Sequence, residues 1–401
     1  MNRKPHSFDI SCSYKVSGNK TKKKLGTSKL EGYITLEDGK SHIRLPMRSF
    51  VRSFIDRLYD ILSGSNSSQR AHLHTASITV SATASTYRLT GILLGNGLSI
   101  PTITSTDLNS IVSSASYGCQ YKTHSFLAPY ALSDIALRTS ITRLITNASG
   151  NPWTIREVGL KTRRAVTDDG TAATSASNVD LLLVSLDQVN EVFSAGTDKQ
   201  VQIAFQVGRD SANGGAVLNL LRVIYNLYLH GNANYSPFIP RIGTVTVAHA
   251  SASATSHLVC DAVAAKYWGV VVGLYETTTA GEEDSPEFQG APAPSNNPIV
   301  GPDDYNFAIN VSDLTYGANT ISAVAITGKQ ATFTISRDIT NGGTASVRLN
   351  RIGLVTKGAT AAPTTLQDDQ IFLMINRSAT DINIAPAQTI RVEYKFQVQG
   401  D

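Results

Sequence analysis

The stretch TIREVGLKTR at residues 154–163 returns 194 positions later as RLNRIGLVTK at 348–357. Extended without gaps, RLITNASGNPWTIREVGL from Arg143 lies on RDITNGGTASVRLNRIGL from Arg337, so that Arg143 meets Arg337, Asn147 meets Asn341, and Gly159 and Leu160 meet Gly353 and Leu354. Further on, DLLLVSLD from Asp180 aligns with QIFLMINR from Gln370, and VQIAFQV from Val201 with VEYKFQV from Val392. Upstream, Phe54, Ile55, Leu58 and Tyr59 in VRSFIDRLYDILSGSN are answered by Leu220, Leu221, Ile224 and Tyr225 in VLNLLRVIYNLYLHGN. The chain is therefore built from two copies of one unit. Whatever rules fold one copy must fold the other.

The copies are placed at about 31–208 and 209–401, almost without a linker. Two cores suit 401 residues, which exceed one comfortable core. Residues 1–30 stand apart as a basic extended arm: Arg3, Lys4, Lys15, Lys20, Lys22, Lys23, Lys24 and Lys29 face Asp9 alone, on a body whose net charge with the arm is only +4.

Within a copy, Phe50, Val51, Phe54, Ile55, Leu58 and Leu62 recur at three- and four-residue spacing with Arg52, Asp56 and Arg57 largely opposite, which predicts an amphipathic helix of about four turns ending at Gly64. Strand-like runs follow: ASITVSATA and YRLTGILLG in the first copy, GTVTVAHAS and YWGVVVGLY in the second. The closing run alternates, with Val201, Ile203, Phe205 and Val207 on one face and Gln202, Ala204 and Gln206 on the other, the pattern of a sheet with one wet face. Long helical patterns between strands, required by a parallel doubly wound sheet, are missing. The fold class expected is mainly β: two tandem antiparallel β-sandwich, jelly-roll-like domains, each preceded by one amphipathic helix. Asn147 and Asn341 begin tight turns, and Gly159 and Gly353 mark a bulge or a close backbone approach.

The motifs that carry common chemistries are absent. ITGKQ at 326–330 has the Gly-Lys pair of a phosphate loop without its glycine spacing or hydroxyl, and reads as a hairpin turn. There is no HExxH, no GxSxG and no GxGxxG after a strand. His72 and His74 would share a strand face but lack a third ligand, and 167–180 has acids and glycine without the spacing of a calcium loop. Cys12, Cys119 and Cys260 are too few and too scattered for a disulfide framework or zinc, and read as buried small apolar groups. His124, His230, His249 and His257 are not answered by histidine in the other copy. Arg143 and Arg337 form the sharpest shared polar pair, read as an ion pair or a clamp on backbone carbonyls. No enzyme, cofactor or metal is expected.

No window approaches the length of a membrane span and no signal peptide is evident, so a soluble chain made in a cytoplasm is expected, with no membrane partner. Nucleic acid is not expected either, because KTKKKLG has no interleaved aromatics. The candidate acceptor for the arm is the long acid- and proline-rich loop at 276–304, found only in the second copy. The candidate subunit contact joins Lys20, Lys22, Lys23 and Lys24 of one chain to Glu282, Glu283, Asp284 and Glu287 of another.

In the second copy YWGVVVGLY, DDYNFAI, LTYGANTI, FTISRDITNGG, LNRIGLV, IFLMINR and IAPAQTIRVEYKFQV, in that order, resemble a loose family of bacteriophage virion proteins. The first copy keeps TDLNSIV, SYG, ITNASG, REVGL and DLLLVSLD but has Ser194, Ala195 and Gly196 where the second has the proline turn. The resemblance implies a structural component of a tail, neck or collar, with a capsid decoration or head-fibre anchor as the alternative. It further implies a homo-oligomer located in the virion, in contact with other virion proteins. A carbohydrate-binding adhesion protein, with a host-surface glycan as partner, is the reading from a different class.

Overall fold

The computed structural model describes residues 7–39, 41–48, 50–63, 91–112, 117–133, 135–165, 179–210, 213–230, 260, 269–274, 314–357 and 370–399. Among them the chain is mainly β and every strand pairing is antiparallel. The first half holds β1 (Ser7–Val16), β2 (Lys23–Glu37), β3 (His42–Pro46), helix α1 (Arg52–Ser63), β4 (Gly91–Gly95), β5 (Cys119–Ser133), β6 (Ala136–Asn147), β7 (Trp153–Ala165), β8 (Val179–Phe193) and β9 (Asp198–Gly208). The second holds β10 (Gly214–Ala216), helix α2 (Leu218–Ile224) running into a π-helical segment at Tyr225–His230, β11 (Gly269–Leu274), β12 (Leu314–Ile321), β13 (Ala325–Thr327), β14 (Gln330–Asn341), β15 (Val347–Lys357), β16 (Gln370–Ile384) and β17 (Thr389–Gln399).

The division at 208/209 falls at the end of β9, yet the main sheet does not divide there. It runs β12-β14-β17-β1-β2-β9-β6-β5, with β13 added to β14 and β3 to β2. Two smaller sheets, β4-β7-β8 and β10-β16-β15-β11, belong one to each half. Side chains tie them to the buried face of the main sheet: the Tyr394 hydroxyl on β17 donates to Ile352 O on β15 at 3.0 Å and meets Asn376 Oδ1 on β16 at 3.1 Å.

The expected free arm is corrected by this topology. Residues 7–16 and 23–37 are the two central strands of the main sheet, and the boundary at 30/31 cuts β2 in its middle. The cause is an alternation that the lysines mask: Phe8, Ile10, Cys12, Tyr14 and Val16 are all buried on one face. Phe8 stacks on Phe396 of β17 with centroids 6.2 Å apart, and Phe396 on Phe333 of β14 at 4.4 Å. Burying a side chain of this size stabilises by about 1.5–3 kcal/mol, enough to hold a strand that a few surface lysines only solubilise.

β1 also completes the symmetry of the duplication. β17 pairs with β1 as its counterpart β9 pairs with β2: Val392 lies opposite Tyr14 and Val201 opposite Leu36. Along β1 and β2 the matched positions differ by 22 residues, so a pseudo-twofold axis passes between them and the second half borrows its inner strand from the N-terminus.

The helices cross the same seam. α1 buries Phe54, Ile55, Leu58 and Leu62 on one face while Arg52 and Asp56 pair at 2.9 Å on the other. That buried face lies over β14 and β17, strands of the opposite half, as well as β8. α2 reciprocates by packing on β5 and β6 in addition to β16. The matched tyrosines reach across in both directions: Tyr59 meets Phe333 at 5.5 Å and Tyr225 meets Phe126 at 6.5 Å, both edge to face. Almost all buried apolar residues of both halves accordingly join one cluster.

Candidate functional site

The polar residues shared by the copies assemble into two matching clusters, one in each half. In the first, Arg143 leaves β6 toward the core, where Nε donates to Lys122 O at 3.0 Å and Nη1 to Ile92 O on β4 at 2.8 Å. Its guanidinium carbon lies 4.5 Å from the centre of the Tyr121 ring. In the second, Arg337 on β14 donates from Nε to Gly317 O at 2.7 Å and from Nη1 to Val270 O on β11 at 3.1 Å, with Tyr316 4.8 Å away. Each arginine thus joins the main sheet to a small one through backbone carbonyls, one of the two readings open for this pair.

A register shift between Tyr121 and His124, repeated between Tyr316 and Asn319, turns the next polar side chain inward as well. His124 Nε2 accepts from the Ile92 amide at 3.2 Å, and Asn319 Oδ1 accepts from the Val270 amide at 3.0 Å. Space for these side chains comes from Gly91 and Gly269, where a Cβ would lie about 2.1 Å from the imidazole or the amide, and whose φ angles of +78° and +82° favour glycine independently.

The electrostatics follow from burial. Arg143 and Arg337 are each pushed down to about 10 by desolvation, with Tyr121 and Tyr316 respectively opposing the shift, and both remain charged at neutral pH. Burial, aided by the Arg143 charge, holds His124 well below the usual imidazole range, so it is neutral and suited to accepting an amide proton. The Cys119 thiol is raised to about 12, chiefly by burial against the opposing effects of Tyr121 and Arg143. Cys12 is likewise raised to about 12 and Cys260 is raised too, so all three are buried thiols rather than thiolates.

The second matched device closes the two turns. Asn147 Nδ2 donates to Asn151 O at 3.1 Å and Phe193 O at 3.0 Å while Oδ1 accepts from Ser149 N at 3.0 Å. Asn341 repeats this with Ala345 O at 2.8 Å, Ile384 O at 2.9 Å and Gly343 N at 3.0 Å. These are side chains that satisfy buried backbone, a task with no reacting atom in it. Gly159 is a close approach, where a Cβ would lie 2.6 Å from Leu108, and Gly328 and Lys329 form a two-residue turn between β13 and β14 with Gly328 at φ +59°.

The proposed contact residues are not brought together. Lys20, Lys22, Lys23 and Lys24 are exposed at the turn from β1 into β2, and Lys22 Nζ lies 2.6 Å from Glu393 Oε1 of its own chain. Glu282, Glu283, Asp284 and Glu287 lie outside the described residues, as do His72, His74 and nearly all of 167–180. Trp153 packs in the core against Phe193 at 4.7 Å.

Sequence reasoning missed Tyr121 with Tyr316, His124 with Asn319, and Gly91 with Gly269. The last pair was visible in GILLG against GVVVG. The other two sit beside bulges that break the alternation on which a strand reading depends. Among the described residues no group of three His, Cys, Asp or Glu could hold a metal ion, and no helix is long and apolar enough to cross a membrane. No protein-family model matches the chain and no curated protein matches it.

Proposed function

We propose that the chain is a non-enzymatic structural protein of a bacteriophage virion, a tail, neck or collar component that assembles as a symmetric oligomer and connects or decorates other virion proteins. The observation that carries this reading is the fate of the shared polar residues: Arg143, Arg337, Asn147 and Asn341 spend their donors on backbone carbonyls. Duplication kept a scaffold and placed its polar residues in structural service. Each half is read as a β-sandwich whose large layer is half of the ten-stranded sheet and whose small layer is its own three or four strands.

Exposed apolar residues support assembly. Leu127, Leu132, Ile135 and Leu144 stand out on the β5–β6 hairpin, whereas the matched positions of Leu127, Ile135 and Leu144 in the second half are Ser322, Lys329 and Asp338. The fold does not need leucine there, so contact with a neighbour is the remaining use. Antibodies against the chain, applied with gold to particles released by the producing cells, test the reading: labelling of tail, neck or collar supports it. Labelling confined to the head surface selects the decoration or head-fibre alternative, and unlabelled particles overturn it.

A further inference from the structure

The internal axis between β1 and β2 relates the two ends of the main sheet, and these equivalent ends carry opposite charge. At one end Lys15 lies opposite Arg391, and the turn beyond it adds Lys20, Lys22, Lys23 and Lys24. Lys15, Lys20, Lys23 and Lys24 are exposed and have no carboxylate at ion-pair distance among the described residues; Glu393 and Asp338 are taken by Lys22 and Arg391. At the other end the place of Lys15 is held by Glu37, which lies opposite Gln200, and the turn beyond it carries Asp38 with Asp198 alongside, all exposed. Lys199 is the cation there, buried to 3% exposure and 3.4 Å from Asp38 and 3.9 Å from Glu191, so it presents little charge outward.

These ends cannot meet within one molecule. β2 spans the distance between them with 15 residues, which at about 3.3 Å per residue is roughly 45 Å. We infer that the lysine turn of one copy docks on the Glu37, Asp38 and Asp198 end of the next, a head-to-tail contact between like-shaped ends of opposite charge. The partner is a second copy because the complementary surface is present on the same chain, and the internal axis makes both ends versions of one backbone. A head-to-tail contact repeats itself and closes a ring or extends a filament. It assigns the lysines an acceptor other than the acidic loop considered from the sequence, and it rests on the reading of the chain as an assembling virion protein.

The experiment is sedimentation velocity of the full chain at about 50 mM and about 500 mM salt, where screening lengths differ several-fold. The unaltered protein is expected to associate at low salt and to dissociate toward single chains at high salt. The combined variant Lys20→Glu, Lys23→Glu, Lys24→Glu, and separately Glu37→Lys, Asp198→Lys, should each weaken association by about tenfold or more. All substituted side chains are exposed, and matching melting curves verify that the fold persists; glutamine replacements of the three lysines provide a milder set. The decisive arm mixes the two charge-reversed variants. Each repels itself but offers the other an opposite charge at both ends, so the mixture should recover low-salt association. Variants that associate like the unaltered chain, a mixture that stays dissociated, or an unaltered chain that is single at low salt would each overturn the contact. Gold labelling of particles by the antibody would in that event leave the virion reading standing, so the two failures are distinguishable.

Discussion

The two halves of the molecule answer the same structural demands with partly different residues, and the pattern of agreement is informative. Arginine is retained at 143 and 337, tyrosine at 121 and 316, asparagine at 147 and 341. Each arginine or asparagine meets backbone groups from separate segments at once, and no other side chain offers the same set of donors. Where the task is a single acceptor, the residue changes: His124 and Asn319 both serve one amide. Buried charge is freer still. Glu157, fully buried and bonded by the amide and side chain of Asn109 at 3.1 and 2.8 Å, is replaced in the second half by the buried Arg351. A residue that joins several strands is held by all of them, and a residue that satisfies one group is replaceable.

The largest test asks whether the halves are comparable as objects at all. Separately produced chains of residues 1–208 and 209–401 are expected to lack a cooperative thermal transition and to disperse poorly in NMR spectra. The first would lose the β14 and β17 surface beneath α1, the second would lose β1, and each would expose the apolar faces that now meet. A half that melts cooperatively on its own would show that the shared sheet and exchanged helices are incidental to folding.

Next in size are the clamps. Arg143→Leu strands the carbonyls of Ile92 and Lys122, and Arg337→Leu those of Val270 and Gly317. Each is expected to cost about 2–5 kcal/mol in urea unfolding, since every orphaned buried group costs roughly 1–3 kcal/mol. The two losses should agree to within about 1 kcal/mol. A clamp whose removal is neutral would break the equivalence of the halves.

Much of this was legible in the sequence, and what was not has definite causes. The repeat gave the correspondence of strands, the alternation of Val201, Ile203, Phe205 and Val207 gave the buried face, and Asn147 with Asn341 gave the turns. The same alternation ran through Phe8, Ile10, Cys12, Tyr14 and Val16, but clustered lysines in the turn and on the wet face drew the stretch toward the reading of an arm. Periodicity also names a buried face without naming what covers it. That α1 lies on strands nearly 300 residues away, and that the first strand pairs with the last, are pairings no local pattern encodes. At the candidate site the arginine pair was legible because both copies print it; its carbonyl partners were not, because any residue type can supply a carbonyl.

A sharper probe uses the histidine that the halves do not share. His124 is depressed well below an unfolded value near 6.5, first by burial and then by Arg143. Its neutral form favours folding fully above the unfolded value, and that contribution is lost as pH falls from there through the folded one. The slope reaches at most about 1.4 kcal/mol per pH unit for one proton. His124→Asn, which copies the second half's solution, should keep the bond to Ile92 N and remove this increment between about pH 6.5 and 4. Asn319→His should add a similar increment. Unchanged acid profiles in both variants would mean that the two sites are not interchangeable in the way their geometry states.

The smallest effect concerns one turn closed in two ways. At 194–197 Gly196 has φ +65°, and at 385–388 the matched Ala387 has φ +59°, the one non-glycine residue in that region among those described. The second turn compensates with Pro386, whose fixed φ presets the position before Ala387, and Gln388 N closes it on Ala385 O at 3.0 Å. Left-handed backbone costs alanine about 1–2 kcal/mol, and glycine returns roughly 0.5–1 kcal/mol of that as unfolded-state entropy. Ala387→Gly should therefore stabilise by about 0.5–1 kcal/mol. Gly196→Ala should destabilise by a similar amount, because nothing lies within 4 Å of the added Cβ and only the backbone term changes. Thermal unfolding of the pair, with the double variant as control, reads both signs. If both substitutions moved stability in the same direction, the two turns would not be versions of one structure, and the correspondence of the halves would stop short of their closing strands.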